Sequence, residues 1–319
     1  MKQVKLKKIS LYIILLLLIV ISTLYIIPVQ KKEFSELYND NSEIQASLLH
    51  FREYPKTKLK IEGIDWEYLS IGNGKRYLLF LHGMGGAYDI WWQQIEHLKK
   101  DFNIISITLP EIHSLTEVTN GIVTILNKEK IDTVTVIGSS MGGYIAQYFM
   151  STYPNKIYKV VLGNTFPPND IFKTKNAKLR KLVPFFPEWL VMSKFKENVT
   201  TTVIPASENS KLVEAYLIEQ YSGLMSKNQF IGRFDIVLEY FDVQRNTIDK
   251  TIPILIIESE NDPLVPVTLR EKLKSTYPEA TVFSFKDKGH FPYLNRPKEY
   301  NSILYNFLNS TLQTKQEKE

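Results

Sequence analysis

Residues 133–143 read TVTVIGSSMGG and lead into YIAQYFM at 144–150. The first run, rich in β-branched residues, predicts a strand, and the second predicts a helix. A Gly-x-Ser-x-Gly turn between a strand and a helix presents a nucleophilic serine in strained backbone geometry, and the residues two before and two after it must be small. Only Ser140 meets that requirement, with Gly138 and Gly142 as its flanks, so Ser139 is interpreted as a packing residue.

The histidine partner of Ser140 is found by elimination. In sites built on such a turn, the acid and then the histidine follow the serine along the chain. Of the 5 histidines only His290 comes after Ser140, and it follows a strand-like run at 281–285. A single histidine is more often structural, but His290 has no competitor for the role of general base.

The acid is predicted to be Asp262. The apolar run 252–257 predicts a buried parallel strand, and the polar stretch that follows it contains Glu258, Glu260 and Asp262. Asp262 precedes a proline, which is also ordinary turn chemistry, so a purely structural role is the alternative. Glu258 and Glu260 remain as second choices, and Asp235 is a more distant one. The acid would hold the tautomer of the histidine and stabilise its imidazolium form.

A second glycine-rich loop is expected to stabilise an oxyanion. The strand-like run 76–81 leads into HGMGG at 82–86. Acyl transfer needs backbone N–H donors aimed at the developing negative charge, and glycines let the backbone approach closely. The two predicted donors are the N–H groups of Met84 and Met141. His82 is interpreted as a brace for this loop.

Three residues near these motifs are predicted to contact the substrate. They are Gly83 in the glycine-rich loop, Trp91 in the following helix and Phe291 beside the histidine. Helical apolar spacing around Trp91 makes core packing its alternative role.

Together the motifs HGxGG at 82–86, GxSxGG at 138–143, DPLVP at 262–266 and GHF at 289–291 resemble the α/β-hydrolase superfamily. The resemblance covers about 57–312 and implies a mostly parallel sheet with helices on both faces and a Ser-His-Asp site. It does not fix the substrate, because one fold serves many chemistries. Residues 110–114 read PEIHS where many members carry Asp-x-x-Gly-x-Gly. Residues 143–147 and 160–166 are also similar to maspardin, which implies a protein-interaction role as one alternative.

The remaining sequence agrees with an α/β-hydrolase fold. An opening antiparallel pair is predicted over 58–71 with its turn at 62–63, followed by strand-like runs at 77–81, 104–109, 133–137, 159–163, 252–257 and 281–285 that alternate with helical ones. More than 80 residues of helical character separate the last two runs from the others. They predict a helical cap inserted at about 167–248, within a hydrolase domain spanning 57–319. Residues 31–56 are predicted as a linker.

The amino terminus predicts a membrane anchor. Four lysines lie between Lys2 and Lys8, and residues 9–27 form 19 residues without a charge, about enough to cross a bilayer as a helix. With no clear cleavage site, an uncleaved signal anchor over 1–30 is favoured over a cleaved signal peptide. The positive-inside rule then predicts a single-pass protein of the cell membrane, with a cytoplasmic amino terminus, an extracytoplasmic catalytic domain and contact of residues 9–27 with the lipid bilayer.

Composition excludes several function classes. The net charge is +5, but residues 1–32 hold six lysines and no acidic residue, which leaves 33 basic against 34 acidic residues in the remainder. The excess of basic residues is therefore confined to the amino terminus and does not indicate nucleic-acid binding. The chain has no cysteine, which excludes disulfides, thiolate metal sites and thiol catalysis. No cofactor and no metal are predicted.

The sequence thus predicts a membrane-anchored serine hydrolase that cleaves carboxylic esters, lipid or other apolar acyl esters among them, through an acyl-enzyme. Three alternatives stay open: a peptidase of the same fold, a carbon–carbon bond hydrolase, and a binding module that uses the fold without catalysis.

Overall fold

The computed structural model describes residues 2–243 and 252–310, with the side chains of 2–9 left aside. In these ranges one sheet has eight strands: β1 (Lys56–Ile61), β2 (Ile64–Gly72), β3 (Arg76–Leu81), β4 (Phe102–Thr108), β5 (Val134–Ser139), β6 (Ile157–Gly163), β7 (Ile254–Ser259) and β8 (Thr281–Phe285). Their order is β1-β2-β4-β3-β5-β6-β7-β8. The β1–β2 and β2–β4 pairs are antiparallel. The other five pairs, β4–β3, β3–β5, β5–β6, β6–β7 and β7–β8, are parallel.

The described helices are α1 (Lys2–Ile26), α2 (Phe34–Leu37), α3 (Ser42–Arg52), α4 (Trp92–Leu98), α5 (Leu115–Lys128), α6 (Met141–Thr152), α7 (Asp170–Leu182), α8 (Glu188–Asn198), α9 (Ile204–Ala206), α10 (Lys211–Glu219), α11 (Lys227–Leu238), α12 (Val267–Thr276), α13 (Pro292–Asn295) and α14 (Pro297–Asn309). Helical turns also occur at Tyr88–Trp91, Val199–Val203 and Gln220–Leu224. The predicted α/β-hydrolase fold of sheet and covering helices is therefore confirmed.

Both faces of the sheet are buried, which is why its central strands read as continuous apolar runs. Along β5, Val136 packs in the core on one face and Ile137 in the core on the other. Val160 and Val161 of β6 divide in the same way. Because successive side chains of a strand point to opposite faces, an unbroken apolar run is needed wherever helices cover both sides.

Helices α7 to α11 lie between β6 and β7 and form what we call the cap segment, residues 164–243. Its end is joined to the body by the hydroxyl of Tyr144, which donates to the carbonyl oxygen of Glu239 at 2.6 Å. An ion pair between Arg180 and Asp235 links α7 to α11. The predicted end of the cap near 248, like the chain beyond 310, lies outside the described residues.

The segment predicted as a linker, residues 31–56, packs on the body. Its side chains Phe34, Leu48 and Phe51 are fully buried in the same core as the sheet. Arg52, at the end of α3, also forms ion pairs with two carboxylates, one of them in the cap segment. Apolar side chains buried in two short helices therefore fix this part of the chain to the hydrolase body.

The predicted single-pass anchor is wrong, and with it the predicted cytoplasmic amino terminus, extracytoplasmic catalytic domain and bilayer contact of residues 9–27. Helix α1 has 25 residues, and four of its first seven, 2–8, are lysines. Among the described residues, no helix combines the length and the apolar character required to cross a membrane.

Candidate active site

Ser140 occupies the sharp turn between β5 and α6. Its backbone has φ 56° and ψ −121°, which is a strained conformation for a residue with a side chain. The turn demands its glycines: a Cβ on Gly138 would lie 2.3 Å from the carbonyl oxygen of Gly142, and one on Gly142 would lie 2.1 Å from that of Leu81. The hydrogen bond from the Ser140 N–H to the Gly163 carbonyl, 2.8 Å, fixes the turn to β6.

His290 and Asp262 form a buried pair at the carboxyl ends of β7 and β8. The two carboxylate oxygens of Asp262 lie 2.9 and 2.8 Å from Nδ1 of His290. Backbone N–H groups of Leu264 and Val265 donate to the same carboxylate. Burial alone would raise the pKa of Asp262, but the charge and hydrogen bond of His290, with the other donors, lower it below its usual value. The pair therefore presents an ionised carboxylate to the ring of His290.

Asn164 is a member of this site that the sequence analysis did not assign. It follows β6 directly, and its side-chain amide donates to Oδ2 of Asp262 at 2.8 Å and to the carbonyl of Gly289 at 3.2 Å. Its left-handed φ of 40° turns the chain where the strand ends. The available signal was positional, because the carboxyl ends of neighbouring parallel strands meet at one edge of the sheet.

Ser140 and His290 line the same cavity, whose volume is about 200 Å³. Asp262 engages Nδ1, which leaves Nε2 of His290 as the ring atom available to a nucleophile. The structure shows no hydrogen bond between Ser140 and His290. In ligand-free sites such contacts are commonly long and shorten only when substrate binds.

The glycine-rich loop lies against Ser140. A Cβ on Gly83 would be 3.1 Å from the Cβ of Ser140. In the described part of the chain, the N–H groups of Met84 and Met141 donate no hydrogen bond, and Met141 is the first residue of α6. Both predicted donors are thus unengaged and adjacent to the serine.

His82 orients the donor of Met84. Its Nε2 accepts from the N–H of Leu109 at 3.0 Å, so its proton is assigned to Nδ1, which donates to the Gly83 carbonyl at 2.7 Å. That carbonyl belongs to the same peptide as the Met84 N–H. Complete burial and the nearby charge of Arg233 hold the pKa of His82 well below its ordinary value. The neutral ring therefore braces the loop, as its position after β3 predicted.

Arg233 of α11 holds the same loop from the cap segment. Its guanidinium donates to the carbonyls of Met84 at 2.7 Å, Gly86 at 2.9 Å and Leu109 at 3.3 Å. The side chain is only 1% exposed, and burial lowers its pKa to about 10, so it remains charged at neutral pH. An arginine inside a helix of otherwise ordinary pattern gives no sequence signal for this contact.

The cavity is lined mainly by apolar and aromatic side chains, with Asn176 and Asn198 as polar exceptions from the cap segment. Gly83 and Phe291, two of the predicted substrate contacts, are part of its wall. Trp91, the third, is not, because it is fully buried in the core and stacked on Tyr293 with ring centroids 4.3 Å apart. Trp91 therefore packs in the core, which is the alternative role that its helical spacing predicted. Among the described residues that line the cavity, the ionisable side chains are His290, Tyr221 and Tyr293, and none is a carboxylate, a lysine or an arginine.

The alternative acids are engaged elsewhere or exposed. Glu258 accepts hydrogen bonds from Lys274 and Ser284. Glu260 is exposed to solvent. Asp235 pairs with Arg180 within the cap segment. Of the four candidates, only Asp262 contacts His290.

The sequence profile described as "alpha/beta hydrolase fold" matches residues 112–297. The chain belongs to the alpha/beta hydrolase fold family. Maspardin of Danio rerio is 26% identical over 230 residues, which cover 70% of this chain and 71% of that protein. A putative carbamate hydrolase of Serratia proteamaculans is 23% identical over 73% of this chain and 91% of its own length.

Solved structures of the family share the fold at low identity. An esterase from Exiguobacterium antarcticum superposes with a TM-score of 0.66 and 18% identity, covering 80% of this chain and all of that one. Among the residues described here, no group of three His, Asp or Glu side chains is placed to hold a metal ion.

Proposed function

We propose that this protein is a serine hydrolase that cleaves carboxylic esters with small or medium apolar acyl groups. One observation carries the proposal: a histidine held by a buried carboxylate lines the same cavity as a serine in the strained turn of a strand-to-helix junction. Strain at Ser140 is maintained only because the surrounding backbone imposes it, which is typical of functional residues.

In this mechanism the hydroxyl oxygen of Ser140 attacks the ester carbonyl while Nε2 of His290 takes its proton. The N–H groups of Met84 and Met141 stabilise the oxyanion. Collapse of the intermediate breaks the ester bond, and His290 returns the proton to the departing alcohol. Water, deprotonated by His290, then attacks the acyl-enzyme; the bond between the acyl carbon and the Ser140 oxygen breaks, His290 returns the proton to that oxygen, and the acid is released. Asp262 stabilises the imidazolium in both steps.

The lining of the cavity supports an uncharged substrate. A peptidase that recognises a free ammonium group needs a carboxylate near the scissile bond, and the described residues that line this cavity include none. Burying an unpaired charge in apolar surroundings is costly, so a neutral ester is favoured over an amino-acid amide. The expectation of lipid esters rested on the membrane anchor and is not carried forward.

The test is labelling of the full chain with a fluorophosphonate probe, which reacts with activated serines irrespective of substrate. We expect labelling of the wild type and none of Ser140→Ala, with Ser139→Ala as the matched control that keeps its label. Untreated protein from the same preparation is then offered aryl esters of increasing acyl length beside amino-acid anilides and a vinylogous diketone. Preference for the anilide or the diketone would identify a peptidase or a carbon–carbon bond hydrolase. A folded wild type that takes up no label refutes the proposal and favours a binding module.

A further inference from the structure

A tyrosine of the cap segment lies in the candidate site without an assigned role. Tyr221 belongs to the Gln220–Leu224 turn, which has π-helical hydrogen bonding, and such turns are frequent at functional sites. It lines the cavity together with Ser140 and His290. Its ring is 7% exposed and stacks on Phe195 with centroids 5.5 Å apart, so its position is fixed.

The hydroxyl of Tyr221 faces the glycine-rich loop. A Cβ added to Gly85 would lie 2.8 Å from the hydroxyl oxygen, so the absence of a side chain at Gly85 leaves room for it. Gly85 directly follows Met84, whose N–H is a proposed oxyanion donor. The hydroxyl is therefore next to the part of the loop that would receive the substrate carbonyl.

Within residues 2–243 and 252–310 the Tyr221 hydroxyl makes no hydrogen bond. Tyr216, one turn earlier, shows the usual arrangement, since its hydroxyl donates to Asp89 at 2.6 Å. Buried tyrosine hydroxyls normally find such a partner, because an unpaired polar group in apolar surroundings is unfavourable. Burial raises the pKa of Tyr221 to about 12, against the influence of Arg233, so the hydroxyl keeps its proton at neutral pH.

We propose that Tyr221 donates a hydrogen bond to an oxygen atom of the substrate other than its scissile carbonyl oxygen. The substrate class is thereby narrowed to esters that carry a second, uncharged acceptor oxygen, an ether or a ketone, close to the ester group. This inference rests on the proposed esterase function. A site that offers a buried donor discriminates against a ligand without an acceptor, because the donor is then left unpaired.

The test compares esters that differ only in that oxygen. One matched pair places it in the acyl group: the p-nitrophenyl esters of 3-methoxypropanoic and pentanoic acid. A second pair places it in the alcohol: 2-methoxyethyl and butyl butanoate. Each kcat/KM is divided by the rate of spontaneous hydrolysis of the same ester, which removes differences in chemical reactivity. We expect wild type to prefer the oxygen-containing member of at least one pair by about tenfold.

In Tyr221→Phe, which removes only the hydroxyl, we expect this ratio to fall to about one. Tyr148→Phe is the control, because the Tyr148 hydroxyl bonds to Thr116 on the exposed surface and its loss must leave the ratio unchanged. Melting temperatures of both variants show whether they remain folded.

Three results overturn the inference. The wild type could show no preference for the oxygen-containing ester in either pair, or Tyr221→Phe could keep the wild-type preference. Tyr221→Phe could also lose kcat equally for both esters of a pair. The last would assign the hydroxyl to the oxyanion. Fluorophosphonate labelling of the same preparation is measured first. If the protein takes up no label, the proposed esterase function itself is refuted. If it takes up the label but shows no preference for the oxygen-containing esters, only the role proposed for Tyr221 is refuted.

Discussion

Replacing Arg52 tests how the amino-terminal helices are joined to the site. Its guanidinium donates to Asp89 at 2.7 Å and, through two nitrogens, to Glu219 at 2.9 and 2.6 Å. Asp89 follows the glycine-rich loop, and Glu219 ends α10 in the cap segment. Arg52→Met keeps most of the aliphatic contact and removes the charge, leaving two carboxylates that are 5% and 6% exposed.

The expected destabilisation follows from that burial. Breaking a buried ion pair by removing one partner costs about 3–5 kcal/mol, because the remaining charge is left uncompensated. The remaining hydrogen bonds limit the destabilisation, since the hydroxyl of Tyr216 still donates to Asp89 and the N–H of Phe34 still donates to Glu219. We therefore expect the free energy of unfolding to fall by about 3 kcal/mol.

The assay is equilibrium unfolding in urea. The free energy of unfolding should depend on urea concentration with the same slope in the variant as in the wild type, which shows that the same structure unfolds. Arg296→Met is the matched control. Its partner Glu208 lies 2.6 Å away, but the two side chains are 44% and 34% exposed, so we expect a change below about 1 kcal/mol. The double variant Arg52→Met with Glu219→Gln should lose less than the sum of the single changes, because the two residues interact.

Equal losses in Arg52→Met and Arg296→Met would refute this reasoning. So would strict additivity of Arg52→Met and Glu219→Gln. Equal losses would mean that burial does not determine what an ion pair contributes, and additivity would mean that Arg52 and Glu219 do not interact.

Three further changes test the site and its support. Because the pKa of His82 is lowered in the folded state, the unfolded chain binds a proton in acid that the folded chain does not. The free energy of unfolding should therefore decrease below about pH 6.5, by up to about 1.4 kcal/mol per pH unit. Urea unfolding at several pH values should show that His82→Gln lacks this contribution to the pH dependence. Asp262→Asn should lower kcat on an aryl ester by about four orders of magnitude, through loss of the negative partner of His290. Gly121→Ala should destabilise by roughly 1–2 kcal/mol in thermal unfolding, because its Cβ would lie 2.1 Å from the buried ring of Trp66 and this crowding exceeds the gain of about 1 kcal/mol in helix propensity.

Each of these has a contradicting outcome. An identical pH slope in wild type and His82→Gln would show that the ring is not what titrates. Full activity of Asp262→Asn would remove the carboxylate from the mechanism. A more stable Gly121→Ala would mean that the ring of Trp66 moves aside without loss.

Short-range patterns predicted the centre of the site, and long-range contacts did not show in the sequence. Ser140 is recognisable because the turn needs glycines two residues on either side, and His290 because no other histidine follows it. Asn164 and Arg233 meet their partners from 98 and 149 positions away along the chain, so no local pattern marks them. The anchor was predicted from a run of 19 residues without a charge that follows a cluster of lysines, but no helix among the described residues combines the length and apolar character needed to cross a membrane.

The uncharged cavity has a consequence for turnover. Under the proposed esterase function, an ester enters it neutral, whereas the acid set free at neutral pH ionises, and a carboxylate is poorly solvated among mainly aromatic and aliphatic side chains. Ionisation of the product acid therefore favours its release into water, so hydrolysis itself promotes product release. Retention of the product should grow only in acidic solution, where the acid keeps its proton and again resembles the ester from which it came.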